Sequence, residues 1–220
     1  MLCFREFETI QAYEPIHTQM RSFTTERTTN TPDEIWLLQH TPVFTQGQAG
    51  KAEHILNPGN IPVIQSDRGG QVTYHGPGQL MIYALLNLRR YGLSVRSCVT
   101  CLENIVITLL AQYSIPSYAK LDAPGIYCEK GKIGSIGLRI RKGFSYHGVA
   151  LNIRMNLNPF HCINPCGVKN LPITQIADFV PNITIEDVIS KLKPIISHEL
   201  KELATNRGFH EKRSLTHTTR

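Results

Sequence analysis

Three consecutive strand patterns between residues 125 and 154 constrain the fold of this chain more than any other feature. A Lys-Gly pair, typical of β-hairpins, lies in each of the two turns between them, at positions 130–131 and 142–143. Such short connections join antiparallel neighbours, because parallel strands need a long crossover. The sequence therefore predicts an antiparallel meander, with strands over residues 125–129, 132–141 and 146–154.

Two amphipathic helices are predicted on either side of this meander. The first runs from Ser94 to Tyr113 and ends before Pro116, and the second covers residues 184–203 and opens with Thr184 and Asp187 in capping-box spacing. The apolar face of the first helix consists of Val95, Cys98, Leu102, Ile105, Leu109 and Tyr113. With an N-terminal strand, a helix over residues 11–27 and strands at 34–40, 63–65 and 80–88, this order predicts an α+β fold, a mixed β-sheet with packed helices.

One domain accounts for the whole length. No repeat or low-complexity linker divides the 220 residues, so we expect a single domain over residues 1–206 and a basic, mobile tail over residues 207–220. No apolar run reaches membrane-spanning length, and the N-terminus carries no secretory pattern. We therefore expect a cytoplasmic protein with six reduced cysteines and no membrane association.

The formal charge of +6 favours an acidic partner. The basic residues are scattered along the chain and are not interleaved with aromatic residues, as binding of single-stranded nucleic acid requires. We therefore expect an acidic protein as the partner, and no nucleic acid.

A glycine-rich run over residues 68–79, Arg-Gly-Gly-Gln-Val-Thr-Tyr-His-Gly-Pro-Gly-Gln, is the most informative motif. Its glycines fit neither the dinucleotide fingerprint nor the phosphate-binding Walker loop. A tight hairpin would explain two glycines, but not Arg68, Tyr74 and His75 arriving together. Because glycine lets the backbone approach a ligand closely, we interpret the run as a substrate-binding loop.

Cys166 is the candidate nucleophile. It lies between Pro165, which stiffens the approach, and Gly167, which leaves space beside the sulfur. Cys162 is its rival, and with His161 it suggests a zinc site, but no second pair of ligands completes one, so no metal is expected. The pair Cys98 and Cys101 lies within a helix, where a redox motif does not occur, and the Cys98 thiol should be buried.

Lys132 is the candidate proton acceptor for that thiol. On a regular strand it shares a face with Ile136, Leu138 and Ile140, where partial desolvation makes a lysine amine a usable base, and a nearby cation favours a thiolate. The neighbouring glycines permit a bulge that would reset this alternation. From this segment alone, an exposed lysine in a hairpin turn is the preferred interpretation.

Three segments taken together resemble the octanoyl (lipoyl) protein transferases. They are the run from Arg68 to Gln79, the run Gly131–Leu138 with the following His-Gly-Val-Ala-Leu-Asn at 147–152, and Pro165-Cys166-Gly167, in the same order and spacing. The resemblance covers nearly the whole chain and implies the fold of the biotin and lipoate protein ligases.

The resemblance also implies an activity. Members of this family take an octanoyl group from octanoyl-acyl carrier protein and place it on a lysine of lipoyl domains, those of 2-oxoacid dehydrogenases and of the glycine cleavage H protein. It implies a thioester on Cys166, Lys132 as its partner, no cofactor, no ATP and a monomer. The implied substrate-binding residues are Arg68, Gly69, Gly70, Gln71, Val72, Thr73, Tyr74, His75, Ser135, Ile136, Gly137, Gly148, Val149 and Ala150.

Two finer points stay open in the sequence. The apolar tunnel for the eight-carbon chain is expected to draw on Val72, Tyr74, Ile136 and Val149. The oxyanion donors lie either at Gly69-Gly70 or within residues 135–137.

Two alternatives are compatible with the same fold or motifs. An ATP-using lipoate or biotin ligase would need no nucleophilic cysteine, and a non-catalytic binding module would tolerate its loss. The Pro-Cys-Gly frame favours the transferase over both.

Overall fold

The computed structural model describes the backbone of residues 1–215 and the side chains of residues 1–207. This part of the chain contains three α-helices and ten strands. The helices are α1 (Tyr13–Glu26), α2 (Val95–Ala111) and α3 (Ile185–Leu215). The strands are β1 (Leu2–Glu6), β2 (Asp33–Leu38), β3 (Val43–Gln46), β4 (Val63–Gln65), β5 (Val72–His75), β6 (Gln79–Leu85), β7 (Ser117–Ala119), β8 (Gly125–Cys128), β9 (Gly131–Arg141) and β10 (Phe144–Asn152).

The main sheet has seven strands in the order β1-β2-β6-β10-β9-β8-β7. Its first pair, β1 and β2, is parallel, and the remaining neighbours are antiparallel, which confirms both the meander and the mixed sheet. A smaller sheet has the order β4-β3-β5 and carries the end of the glycine-rich loop into β5.

Helices cover both faces of the main sheet. Alternate residues of β2 divide between two apolar clusters: Ile35 packs with residues of α2 and α3, whereas Trp36 packs with Ile16 and Met20 of α1. Because successive strand residues point to opposite faces, α2 and α3 lie on one side of the sheet and α1 lies on the other. A third cluster, around Phe44, joins the small sheet to the segment before Cys166.

The predicted helix starts are confirmed by their caps. The Ser94 side chain accepts from the Ser97 backbone N–H in a capping box, and the Thr184 hydroxyl accepts from the Asp187 N–H at 3.1 Å. The prediction for Val95 is wrong, since its side chain is 54% exposed. Val95, in the first turn of α2, lies outside the apolar cluster that Cys98 and Leu102 join.

The C-terminal helix is longer than its pattern indicated. It continues to Leu215, so the boundary expected at residue 206 falls within α3. The last part of the expected tail, residues 216–220, lies outside the described residues. Within the described part, no helix is long and apolar enough to cross a membrane.

A register shift in β9 positions Lys132. Across the β8–β9 pair, Ile126 is opposite Gly134 but Tyr127 is opposite Lys132, which leaves Ile133 as an extra residue. Such a bulge interrupts the alternation of side chains. The side-chain direction of Lys132 therefore does not follow from counting along the strand.

Candidate active site

The sulfur of Cys166 lies 3.0 Å from the Nζ of Lys132. Cys166 is at the centre of a short turn, Pro165–Gly167, with φ 58° and ψ 18°, a left-handed conformation that few side chains adopt. The turn is closed by a hydrogen bond from the Gly167 N–H to the Asn164 carbonyl at 2.9 Å. It holds the thiol partly exposed and aimed at β9.

Lys132 is 2% exposed, and its ammonium has two acceptors. Besides the sulfur, it donates to the Pro124 carbonyl at 3.1 Å, and it lies 5.2 Å from the centroid of the Tyr127 ring. A buried charge requires such partners, because water is excluded. The lysine is therefore fixed against the thiol.

Gly125 makes room for the lysine. A Cβ at this position would lie 2.6 Å from Lys132 Cε and 2.8 Å from Nζ, and the backbone has φ +143°. The Gly125 N–H donates to the carboxylate of Glu103 on α2 at 2.9 Å, and Glu103 is 5% exposed. Helix α2 thus anchors the turn whose carbonyl holds the Lys132 ammonium.

Arg68 holds the glycine-rich loop together from within. Its guanidinium donates to the carbonyl oxygens of Thr45, Gly69 and Gln71 at 2.6, 2.8 and 2.8 Å, and to the Thr45 hydroxyl. Burial lowers its pKa from the usual value. Because these bonds fix the loop backbone, Arg68 shapes the site.

His75 is a neutral part of the same framework. Its Nδ1–H donates to the Gln79 side-chain carbonyl at 2.8 Å, since that oxygen only accepts, and its Nε2 lies 3.0 Å from the Thr45 hydroxyl. Burial lowers the pKa of His75 well below its usual range. Both ring nitrogens have partners, so His75 positions β5 against β3.

A hydrogen-bonded cluster adjoins the loop. One oxygen of Asp67 accepts from the Nε2 atoms of His17 and His147, both at 2.8 Å, and the other accepts from Tyr146. Burial raises the pKa of Asp67, but these bonds outweigh it and hold the pKa well below its usual range. Burial lowers the pKa of His147 to about 4.

The same three residues, His17, Asp67 and His147, are close enough to ligate a metal ion. Their hydrogen bonds already satisfy one another, so the cluster needs no ion to explain it. The Nδ1 of His147 is buried and has no partner among the described residues.

Two cavities meet at Cys166. The inner cavity, of about 50 Å³, has mostly buried walls. It is lined by Tyr13, Arg68, Gly70, Gln71, Val72, Thr73, His75, Met81, Tyr83, Ser135, Ile136, Gly137, His147, Gly148, Ala150 and Cys166.

The outer cavity, of about 510 Å³, opens among exposed side chains. It is lined by Gly69, Gly70, Gln71, Val95, Val99, Lys120, Asp122, Ala123, Pro124, Tyr127, Lys132, Ile136, Gly137, Leu138, Cys166, Val168 and Leu171. Both members of the Cys166–Lys132 pair line it, whereas only Cys166 lines the inner cavity.

The structure brings most of the expected site residues to these two cavities, and Tyr74 and Val149 are the exceptions. Tyr74 packs against Phe44 and Phe160, and Val149 is fully buried among the residues under α2 and α3. The small residues before and after Val149, Gly148 and Ala150, line the inner cavity instead. On a strand, Val149 faces away from them.

The site residues that no sequence pattern predicted lie far apart in the chain. Tyr13, Met81, Tyr83 and His147 line the inner cavity, and Glu103 anchors the turn beside Lys132. Only His147 could have been found from the sequence, because it is the first residue of one of the segments that resemble the family. The others carry no local motif.

Three other cysteines, Cys98, Cys101 and Cys162, differ from Cys166 in their surroundings. Cys98 lies buried inside α2, as predicted, Cys101 is buried there too, and burial raises the pKa of each to about 12. Cys162 is partly exposed, and its carbonyl accepts from the backbone N–H groups of Leu56 and Asn57. Among the described residues, no metal-ligating group includes Cys162 or His161.

The sequence matches known proteins over nearly its whole length. A model of the lipoyl protein ligase A/B catalytic domain matches residues 11–196. An octanoyltransferase of Pseudomonas fluorescens is 57% identical over 215 residues, which are 98% of this chain and 96% of that protein. This chain belongs to the lipoyl protein ligase A/B family, among its octanoyltransferases.

Further octanoyltransferases agree. That of Photorhabdus laumondii is 59% identical over 81% of this chain and 84% of its own, and that of Coxiella burnetii is 56% identical over 87% and 79%. The resemblance seen in the sequence is thereby confirmed, and the protein is an acyltransferase.

Solved structures confirm the fold of this octanoyltransferase. A lipoate-protein ligase A bound with ATP superposes with a TM-score of 0.70 at 15% identity, covering 92% of each chain. A biotin protein ligase of Aquifex aeolicus gives 0.53 at 13% identity, covering 92% of this chain and 71% of that one. The biotin and lipoate ligase-like fold is therefore correct.

Proposed function

We propose that this octanoyltransferase moves an octanoyl group from octanoyl-acyl carrier protein to a lysine of lipoyl domains through a thioester on Cys166. The observation that carries the proposal is the 3.0 Å contact between Cys166 Sγ and Lys132 Nζ, where the two cavities meet. The lipoyl domains of 2-oxoacid dehydrogenases and the glycine cleavage H protein are the proposed acceptors. A monomer suffices, because one chain supplies the whole site.

The first half-reaction exchanges one thioester for another. The Lys132 ammonium holds the proton given up by Cys166, and the Cys166 thiolate attacks the carbonyl carbon of the donor. The new bond from Sγ to that carbon forms, and the bond to the donor sulfur breaks. The departing thiolate takes the proton from Lys132, which leaves a neutral amine beside the acyl-enzyme.

The second half-reaction makes an amide. The neutral amine of the acceptor lysine attacks the thioester carbon, and Lys132 takes the proton from the attacking nitrogen. The Cys166 sulfur leaves as a thiolate, paired with the Lys132 ammonium. Because an amide is more stable than a thioester, the transfer is directional and needs no ATP.

The backbone N–H groups of Gly70 and Gln71 are the proposed oxyanion donors. Among the described residues neither has an acceptor, and both residues line the two cavities with Cys166. The Gly69 N–H already donates to the Leu138 carbonyl at 3.0 Å. A preorganised donor of this kind is typically worth ~3–4 kcal/mol.

The acyl chain is proposed to enter the inner cavity. Val72, Met81, Ile136 and Ala150 supply apolar surface there. The volume of about 50 Å³ leaves little spare room, so the chain must displace a side chain. Met81 suits this role, since its unbranched side chain adapts to the space available.

The test is transfer to an isolated lipoyl domain without ATP, followed by the mass of that domain. Octanoyl-acyl carrier protein should add one octanoyl group with wild-type enzyme. Cys166→Ser should abolish transfer, and the matched control Cys162→Ser should retain it. Transfer by Cys166→Ser, or transfer only from free octanoate with ATP, would overturn the proposal in favour of a ligase.

A further inference from the structure

Exposed apolar side chains surround the opening of the outer cavity. Val95 and Val168 are 54% and 46% exposed there, and the neighbouring Leu121 is 88% exposed. Exposed Lys120 lines the same mouth. Apolar side chains in such numbers at the opening of a cavity indicate a surface that binds a partner group.

The two cavities receive different parts of the substrate. A thioester carbonyl at Cys166 has the acyl chain on one side and the arm of the donor on the other. A protein carrier stays outside the enzyme, so its arm must pass through the cavity that opens at the surface. The acyl chain is left with the cavity whose walls are buried.

We infer that the outer cavity binds the donor's arm, an extended, thiol-terminated diamide of the phosphopantetheine class. This inference rests on the proposed function, which assigned no part of the substrate to the outer cavity. The arm's methyl and methylene groups suit Val95, Val99 and Leu138. The ammonium of Lys120 lies 4.4 Å from the centroid of the Tyr127 ring and adds positive charge to the same cavity, which favours an anionic arm.

The outer cavity is large enough to hold an arm of this kind. About 510 Å³ lies within the range of pockets that enclose drug-sized ligands. Lys132 and Cys166 both line this cavity. In the proposed mechanism, Lys132 returns a proton to the departing thiolate. A bound arm therefore presents its sulfur where the proton transfer takes place.

The experiment compares two small thioesters that carry the same octanoyl group. One is octanoyl-pantetheine 4′-phosphate, and the other is the octanoyl thioester of N-acetylcysteamine, which lacks most of the arm. The rate of Cys166 acylation is followed by intact mass for wild type, Val95→Trp and the control Val63→Trp. Val63 is also an exposed valine, 39% exposed on β4, and it lines neither cavity.

Wild type and Val63→Trp should prefer the long arm by about tenfold in kcat/KM. Val95→Trp should lose that preference while its rate with the truncated thioester stays within about twofold. Alkylation of Cys166 by iodoacetamide should be equal in all three proteins, which shows an intact site.

Three results would overturn the inference. Equal rates for the two thioesters with wild type would show that the arm does not bind in the outer cavity. The acyl-enzyme proposal would remain intact. A Val95→Trp effect that grows with acyl chain length, and not with arm length, would place the chain there instead. No acylation of wild type by either thioester, or by octanoyl-acyl carrier protein, would overturn the proposed function and this inference with it.

Discussion

The Nζ of Lys132 lies 3.0 Å from the Sγ of Cys166, although 34 positions separate the two residues in the chain. Lys132 comes from a bulged strand and Cys166 from a turn with positive φ, and Gly125 leaves space for the lysine. Neither side chain is placed by its own segment alone. Their contact is the product of the fold, and it supplies a nucleophile and a proton acceptor.

Replacing Lys132 with alanine should slow acylation at neutral pH by about 10²–10⁴-fold, the usual contribution of a positioned acid–base group. Lys130→Ala, which removes an exposed lysine on the adjacent turn, is the control and should act as wild type. An acylation rate that does not change would exclude Lys132 from the mechanism.

Replacing Gly125 with alanine should reduce acylation by about tenfold or more, because its methyl group would displace the Lys132 ammonium by contact at 2.8 Å. Gly59→Ala is the matched control, since Gly59 also has positive φ but no heavy atom within 4 Å of an added Cβ. Both variants should lose some stability through backbone strain. Equal activity in the two variants would show that the lysine tolerates the shift.

Replacing Ala150 with valine should change chain-length preference. The added methyl groups narrow the inner cavity, so acylation by an octanoyl thioester should fall about tenfold relative to an acetyl thioester. Ala84→Val adds the same bulk to the core away from both cavities and controls for overpacking, which costs about 1–3 kcal/mol. An unchanged ratio in Ala150→Val would mean that the chain lies elsewhere.

Removing the Arg68 guanidinium should destabilise the protein by several kcal/mol, roughly 3 or more, because buried carbonyl groups lose their donors. Arg68→Lys should not restore stability, since one ammonium cannot reproduce the fork of bonds to three backbone carbonyls. Urea denaturation measures the free energy of unfolding. A loss of donor affinity at unchanged stability would instead assign Arg68 to substrate contact.

Stability should fall as the pH drops from about 6.5 to 4. Burial lowers the pKa of His40 and of His147 to about 4 in the folded protein, whereas the unfolded residues titrate near 6.5. The unfolded state therefore binds more protons over this range, and each histidine costs on the order of 3 kcal/mol at its lower end. Lowered pKa values at Asp67 and His75 act in the same direction.

Urea midpoints between pH 7 and 4 measure this dependence. His40→Gln should flatten it, because one buried titrating group is removed, while His198→Gln at an exposed position should leave it unchanged. Equal pH dependence in wild type and His40→Gln would show that His40 does not contribute.

Much of the fold was predictable because its signals are local. Periodicity and caps gave α2 and the start of α3, and the Lys-Gly turns gave the meander of β8, β9 and β10. The exposure of Val95 was not predictable, because the helical period identifies the apolar face of a helix but not which positions on that face have a packing partner.

The site was predictable where glycine and cysteine stand in short motifs, as at residues 68–79 and 165–167. The bulge at Ile133, the anchoring of Gly125 by Glu103 and the two-cavity arrangement depend on contacts between distant segments. No period or motif in the sequence encodes them. Tyr74 shows the reverse case, a residue within the motif whose side chain turns into the core.

The most direct measurement is the intact mass of the protein after mixing with octanoyl-acyl carrier protein, without acceptor and without ATP. The account predicts an increase by one octanoyl group that hydroxylamine removes, that Cys166→Ser lacks and that Cys162→Ser retains. Absence of any adduct on Cys166, with loading of a lipoyl domain only from octanoate and ATP, would contradict it.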